Sequence, residues 1–118
     1  MTQARQPHAD QALLLQFLAG DGAPRPMDSN PLARALGCRL LRVDVAGGRV
    51  ELGFSPEALF VQGTGVLQGG AVSAMLDFAM AFAVLAHLPA GASCATVNMA
   101  SSFLRPAPEG AYCAVGEI

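Results

Sequence analysis

The fold is decided by residues 69–88, which read GGAVSAMLDFAMAFAVLAHL. This stretch is predominantly apolar, carries one formal charge at neutral pH, Asp77, and is followed by the helix-ending residues Pro89 and Gly91. Twenty such residues are long enough to cross a bilayer. A carboxylate near the middle of a membrane span costs about 3 kcal/mol on insertion scales, however, and no Lys/Arg cluster or Trp/Tyr belt flanks the run. We therefore predict a helix buried at the centre of a globular domain.

The composition limits the functions open to the chain. Its 118 residues suit one domain, and 53% apolar against 14% charged residues argue against disorder. A net charge of −2 gives no footprint for nucleic-acid binding. Three widely spaced cysteines make neither a disulfide framework nor a zinc pattern. We therefore expect a cytoplasmic protein that holds no metal.

The rest of the chain predicts a sheet around the helix, in an α+β domain that covers residues 31–118. Apolar residues alternate with charged ones at 38–45 and 49–54, on either side of a Gly-Gly turn, which predicts a β-hairpin. Further strands are predicted at 94–104 and 111–118. Four strands barely cover so long an apolar helix, so we expect either further strands or a second copy of the chain to help cover it.

Residues 1–30 are predicted to form an N-terminal arm. Residues 10–18 within it can form a short helix, after which glycines and prolines make a loop. Asn30 followed by Pro31 is typical of a helix start, because asparagine caps a first turn and proline suits the first helical position. We expect one or two helical turns over residues 32–36, ended by Gly37.

Two features of the central helix can carry chemistry. Glycines surround Gln68 at its start, where unpaired backbone N–H groups can donate to a carbonyl oxygen or an anion. Asp77 lies two turns beyond Gly70, about 10 Å along the same face at 1.5 Å per residue, with Ser73 and Ala81 beside it. A carboxylate on such an apolar face suits a general base. From spacing alone, a flexible turn and a hydrogen-bonded structural Asp explain the two features at least as well.

Three motifs of the chain are informative as a set. They are Gln62-Gly-Thr-Gly-Val-Leu-Gln68-Gly69-Gly70, then Asp77, then residues 96–106 with Phe-Leu-Arg-Pro at 103–106. From about Asn30 to the C-terminus, the chain thereby resembles the PaaI-like acyl-CoA thioesterases of the hotdog fold. That resemblance implies an antiparallel sheet wrapped around a long central helix, and a homodimer or dimer of dimers with active sites at the subunit interface. It implies hydrolysis of acyl-CoA to a carboxylic acid and coenzyme A, with no cofactor and with no nucleic acid or membrane as partner.

The resemblance also implies a role for each matching residue. Asp77 matches the helix carboxylate that acts as general base or nucleophile, and the sequence leaves both routes open. Gly70 matches the glycine whose N–H polarises the thioester carbonyl as an oxyanion hole, with Gln68 beside it. Gln62 matches an amide that positions water or the acyl group. The substrate and coenzyme A path is expected to include Gly69, Ser73, Ala81, Asn98, Ser101 and Arg105, the last as a phosphate contact.

Three departures from the family pattern bear on activity. Gln68 stands where the family has a histidine, so it can donate a hydrogen bond but carries no positive charge. Ala81 stands where some relatives have a hydroxyl, and the chain ends at Ile118, before the last strands of the family sheet. A non-catalytic module that binds acyl-CoA in the same cleft is therefore the alternative function. A hotdog hydratase fits less well, because its paired Asp and His are not evident.

Overall fold

The structure, a computed structural model, describes residues 5–118; residues 1–4, the first part of the predicted arm, lie outside the described residues. The helices and strands follow in chain order as α1 (Ala9–Ala19), β1 (Arg25–Pro26), α2 (Pro31–Ala35), β2 (Arg39–Asp44), β3 (Arg49–Phe54), α3 (Gly69–Leu85) and β4 (Tyr112–Glu117). One 3₁₀ turn, Ala58–Phe60, lies between β3 and α3.

The four strands form one antiparallel sheet in the order β1-β2-β3-β4. The predicted hairpin is confirmed as β2 and β3, with Asp44 opposite Arg49 next to the turn. β4 pairs along the whole of β3, from Tyr112 opposite Phe54 to Glu117 opposite Arg49. α3 packs on β3 and β4, which gives the α+β arrangement expected from the sequence.

The predicted central helix is confirmed as α3, although it ends at Leu85 and residues 86–88 form a looser turn. It lies very close to the sheet, because a Cβ atom on Gly116 of β4 would stand 2.1 Å from the backbone oxygen of Ala79. Only glycine permits that approach. The inward residues of α3 join those of β2 and β3 in one core: Ala71, Met75, Ala79, Phe82 and Ala83 with Leu40, Val50, Leu52 and Phe54. No helix in the described part of the chain has the length and hydropathy that crossing a membrane requires.

The N-terminal residues pack against the same core. α1 contributes Leu13, Leu14 and Phe17 to it. Asn30 caps α2 as predicted, since its Oδ1 accepts a hydrogen bond from the Ala33 N–H at 2.8 Å. β1 lies in the stretch that the sequence predicted as a loop, and it pairs with the start of β2. The division of the chain into an arm and a domain at residue 30 stays a prediction.

The strand predicted over residues 94–104 is wrong. Residues 93–106 make no backbone-to-backbone hydrogen bond with any described residue, and Val97 and Leu104 are 97% and 91% exposed. A strand needs a neighbour to pair with, and within residues 5–118 none lies beside this segment. The segment instead returns alongside α3 without regular secondary structure, with Cys94 near Ala81 and Thr96 near Asp77.

Candidate active site

The start of α3 presents backbone donors to solvent. Gln68 caps the helix, since its Oε1 accepts a hydrogen bond from the Ala71 N–H at 3.1 Å. The backbone oxygen of Gln68 accepts from the N–H groups of Ala71 and Val72, at 2.9 and 3.3 Å. The N–H groups of Gly69 and Gly70 find no acceptor among the described residues. These two donors lie at the positive end of the helix dipole and can therefore bind a carbonyl oxygen.

A tight turn leads into this helix start. The Gln62 N–H donates to the Val66 oxygen at 2.8 Å, and the Gly65 N–H donates to the Gln62 oxygen at 2.9 Å. Gly65 has a φ of 83°, a left-handed conformation that favours glycine. The Gln62 side chain is exposed and makes no hydrogen bond with the described residues, so its amide is available to a ligand or a water molecule.

A groove of about 610 Å³ lies beside the backbone donors, between the start of α3 and residues 102–107. Its walls are mostly apolar, with Val72 on the helix and Phe103 and Leu104 opposite. The Phe103 ring stands 3.7 Å from the position that a Cβ of Gly69 would take. Arg105 is exposed at the same groove. The groove therefore suits an apolar chain with an anionic group at its edge.

Asp77 is half-buried on α3, and one oxygen of its carboxylate accepts a hydrogen bond from the Thr96 hydroxyl at 2.5 Å. Neither ion pair in the described part of the chain involves Asp77. The hydroxyl orients the carboxylate and leaves the second oxygen able to take a proton or attack a carbon. Thr96 begins the motif at residues 96–106, but the sequence pattern did not indicate its contact with Asp77, because only the return of its segment along α3 joins residues 19 positions apart.

The other predicted site residues fall into two groups. Ser73 and Ala81 are half-buried on α3, and the Ala81 oxygen lies 3.8 Å from the Cys94 sulfur. Asn98 and Ser101 make no side-chain hydrogen bond with the described residues and do not line the groove. The structure therefore does not bring these last two into contact with Asp77 or with the helix start. Within residues 5–118, no group of three His, Cys, Asp or Glu side chains could hold a metal ion.

The helix start and Asp77 lie about two turns apart on one face of α3. Asp77 is seven positions beyond Gly70, or about 10 Å along the axis between the two Cα atoms. A carboxylate that attacks a carbonyl carbon at about 3 Å, while a donor binds the oxygen at about 3 Å, must lie within about 7 Å of that donor. A bridging water or a second copy of the chain would allow the two groups to act on one carbonyl.

Comparison with known proteins identifies the family. The family model of the thioesterase superfamily matches residues 64–118. The chain is also similar to the crystal structure of a phenylacetic acid degradation-related protein from Ralstonia eutropha JMP134, a proposed thioesterase. The two share 35% sequence identity and superpose with a TM-score of 0.70, over 88% of this chain and 73% of that chain. The chain belongs to the thioesterase superfamily. No curated protein matches it.

Membership of the thioesterase superfamily confirms the predicted hotdog fold and the PaaI-like resemblance. It also supports thioester hydrolysis as the general chemistry. The region that matches the family model begins at Thr64 and so includes α3, Asp77 and Thr96. Gln62 and α1 lie before that region, so the match to the family model gives no information about their roles, which must be argued from the structure of this chain.

Proposed function

We propose that the protein hydrolyses an acyl-CoA thioester to a free carboxylic acid and coenzyme A. One observation carries the proposal: α3 presents at its start two backbone donors that have no acceptor among residues 5–118 and, further along, a carboxylate that a hydroxyl holds in place. Membership of the thioesterase superfamily supports the assignment of the two donors as an oxyanion hole and of the carboxylate as a base or nucleophile. The apolar groove at the helix start is suited to the acyl group, and Arg105 at its edge to a phosphate of coenzyme A.

In the proposed reaction the N–H groups of Gly69 and Gly70 donate to the thioester oxygen. Charge builds up on this oxygen as the carbonyl carbon becomes tetrahedral, so the two donors stabilise the transition state more than the substrate. The Nε2 of Gln68 makes no hydrogen bond with the described residues and can add a third donor. Gln62 supplies an amide that positions water or the acyl group.

Asp77 acts by one of two routes. As a general base it takes a proton from water while the water oxygen attacks the carbonyl carbon; the C–S bond then breaks, and the coenzyme A sulfur leaves and receives that proton. As a nucleophile it attacks the carbon itself, the C–S bond breaks, and the coenzyme A thiolate leaves and takes a proton from solvent; water then hydrolyses the resulting anhydride to the free acid and the Asp77 carboxylate. After a single turnover in ¹⁸O-labelled water, label in the Asp77 carboxylate identifies the second route with water attacking the Asp77 carbonyl carbon, whereas label in the product alone is compatible with both routes. Thr96 orients the carboxylate in both.

We also propose that each site is shared between two copies of the chain, as a homodimer or a dimer of dimers. The separation of Gly70 from Asp77 along one helix supports this, as do the exposed side chains of Val97, Phe103 and Leu104. Mixing Asp77→Asn with Gly70→Pro subunits tests it. If sites are shared, half of the randomly mixed dimers contain both variants, and one of the two sites in each of these is intact, so about a quarter of the wild-type activity returns. If each site lies within one copy, no activity returns.

Thiol release from short, medium, long and aromatic acyl-CoAs tests the function itself. We expect release from part of this panel, and Asp77→Asn should lower kcat by about 10²-fold or more. Asp28→Asn is the matched control, because the Asp28 carboxylate is exposed and makes no hydrogen bond with the described residues. Unchanged turnover in Asp77→Asn would refute the assignment. Thermal stabilisation by acyl-CoA without thiol release would instead identify a binding module.

A cytoplasmic location stays our expectation. It is supported by the three cysteines, Cys38, Cys94 and Cys113, all of which are free thiols. Redox-sensitive labelling of these thiols in intact cells tests it, and disulfide-linked chains recovered under non-reducing conditions would contradict it.

A further inference from the structure

The side chain of Gln11 in α1 is a buried polar group that the proposed reaction does not use. It is 5% exposed, and both polar atoms of its amide make hydrogen bonds. Nε2 donates to the Pro89 oxygen at 3.0 Å, and Oε1 accepts from the N–H groups of Gly91 at 2.9 Å and His8 at 3.3 Å. A buried amide with all of these bonds formed holds its partners in one geometry. Gln11 thus ties α1 to the turn that follows α3.

His8 makes a second tie to the same turn. Its Nδ1 accepts from the Gln11 N–H at 3.4 Å, and its Nε2 lies 3.1 Å from the Ala92 oxygen. The neutral ring with its proton on Nε2 satisfies both contacts. Three backbone groups of residues 89–92 are therefore bound by side chains of α1 and its cap.

This turn is the start of the segment that carries Thr96. Only three residues separate Ala92 from Thr96, and residues 93–106 make no backbone-to-backbone hydrogen bond with any described residue. Two side-chain contacts hold residues 93–96 to α3: the Cys94 sulfur contacts the Ala81 oxygen, and the Thr96 hydroxyl contacts the Asp77 carboxylate. The place where the segment begins therefore decides whether Thr96 reaches the carboxylate.

We propose that Gln11 is a positioning residue for the reaction, acting through residues 89–92 to hold Thr96 against Asp77. The proposal rests on the proposed function, because it assigns Gln11 to the same carboxylate. Gln11→Met tests it, since methionine keeps the length and volume of the side chain and removes its hydrogen bonds. Gln16→Met is the matched control, because Gln16 lies on the exposed face of the same helix and its side chain accepts a hydrogen bond from Arg25 of β1 and makes none with residues 89–92.

Kinetics give the first measurement. Gln11→Met should lower kcat by about tenfold or more and leave KM within about twofold, because the carboxylate is misplaced while the groove is unchanged. In a Thr96→Val background the same substitution should change kcat by less than about twofold, since the two act through one contact. Full additivity of the two substitutions, or an unchanged kcat in Gln11→Met, would overturn the proposal.

Alkylation of Cys94 gives a second measurement that needs no substrate. The alkylation rate of Cys94, divided by that of Cys113 on β4, should rise about threefold or more in Gln11→Met and stay unchanged in Gln16→Met. Cys38 is buried and reports global unfolding, so it should stay unmodified throughout. Equal Cys94 rates in all three proteins would overturn the positioning role. A wild-type chain that releases no thiol would instead overturn the proposed function, and the Cys94 rates would still decide whether Gln11 holds the segment.

Discussion

Removing the N–H of Gly70 tests the proposed oxyanion hole without changing any side-chain donor. Proline lacks a backbone N–H and is tolerated in the first turn of a helix. Gly69, the preceding residue, has no Cβ, so much of the steric penalty before a proline is absent. Gly70→Pro should therefore remove one donor from the helix start while α3 still begins at the same residue.

The structure also supplies the control. A Cβ at Gly70 would stand 2.6 Å from the Oε1 of Gln68, so any substitution there displaces the capping side chain. Gly70→Ala makes the same displacement but keeps the N–H. Loss of the cap costs both variants about 1 kcal/mol of unfolding free energy, or about 4–8 °C in Tm for a domain near this size. The difference in kcat between the alanine and proline variants therefore isolates the donor.

Losing one oxyanion donor costs about 10²–10³ in kcat, or roughly 3–4 kcal/mol of transition-state stabilisation. We expect that ratio between Gly70→Ala and Gly70→Pro, measured as thiol release at saturating acyl-CoA. Circular dichroism melts of both variants verify that they are folded. If the two folded variants turn over within about threefold of each other, the Gly70 N–H is not an oxyanion donor.

A second pair of variants locates the donor if Gly70 fails. At Gly69 a Cβ would make only ordinary contact, 3.7 Å from the Phe103 ring. Gln68 before it has φ −64° and ψ 137°, a backbone conformation that suits the residue preceding a proline. Comparing Gly69→Pro with Gly69→Ala therefore measures the Gly69 N–H with little disturbance of the helix start.

Three further predictions concern the core. Burial raises the pKa of the Cys38 thiol to about 12. At pH 8 we therefore expect only the exposed Cys94 and Cys113 to react quickly with iodoacetamide, and Cys38 to react after unfolding. Fast reaction of all three thiols in the folded protein would contradict this. Between pH 9.0, the ordinary pKa of the thiol, and about 12, the unfolded chain loses the Cys38 proton and the folded chain keeps it, which favours unfolding. In this range the free energy of unfolding should therefore fall more steeply with pH for the wild type than for Cys38→Ala. Gly116→Ala should lower the unfolding free energy by about 2 kcal/mol or more, because its Cβ would collide with the backbone of Ala79. Gly63→Ala, with nothing within 4 Å of its Cβ, should change the unfolding free energy by less than about 0.5 kcal/mol; equal urea midpoints for the two variants would refute the close-packing argument.

Features that depend on neighbours in the chain were predicted correctly from the sequence. The apolar run with glycines before it and proline after it is observed as α3, and the alternating residues around the Gly-Gly turn are observed as β2 and β3. The cap at Asn30 is local in the same way. The separation of Gly70 from Asp77 follows from helix geometry alone, because each residue adds a set rise along the axis.

Features that depend on contacts between distant residues were decided by the tertiary structure alone. Thr96 meets Asp77 across 19 positions, and Gln11 meets Gly91 across 80. The strand pattern at residues 94–104 does not produce a strand, because pairing needs a second backbone alongside and the described residues offer none. Local pattern thus determined which elements form and which chemical groups the helix carries. Long-range packing determined which hydroxyl orients the carboxylate and which side chains hold that hydroxyl in place, because such contacts form only when segments far apart in the chain are brought together.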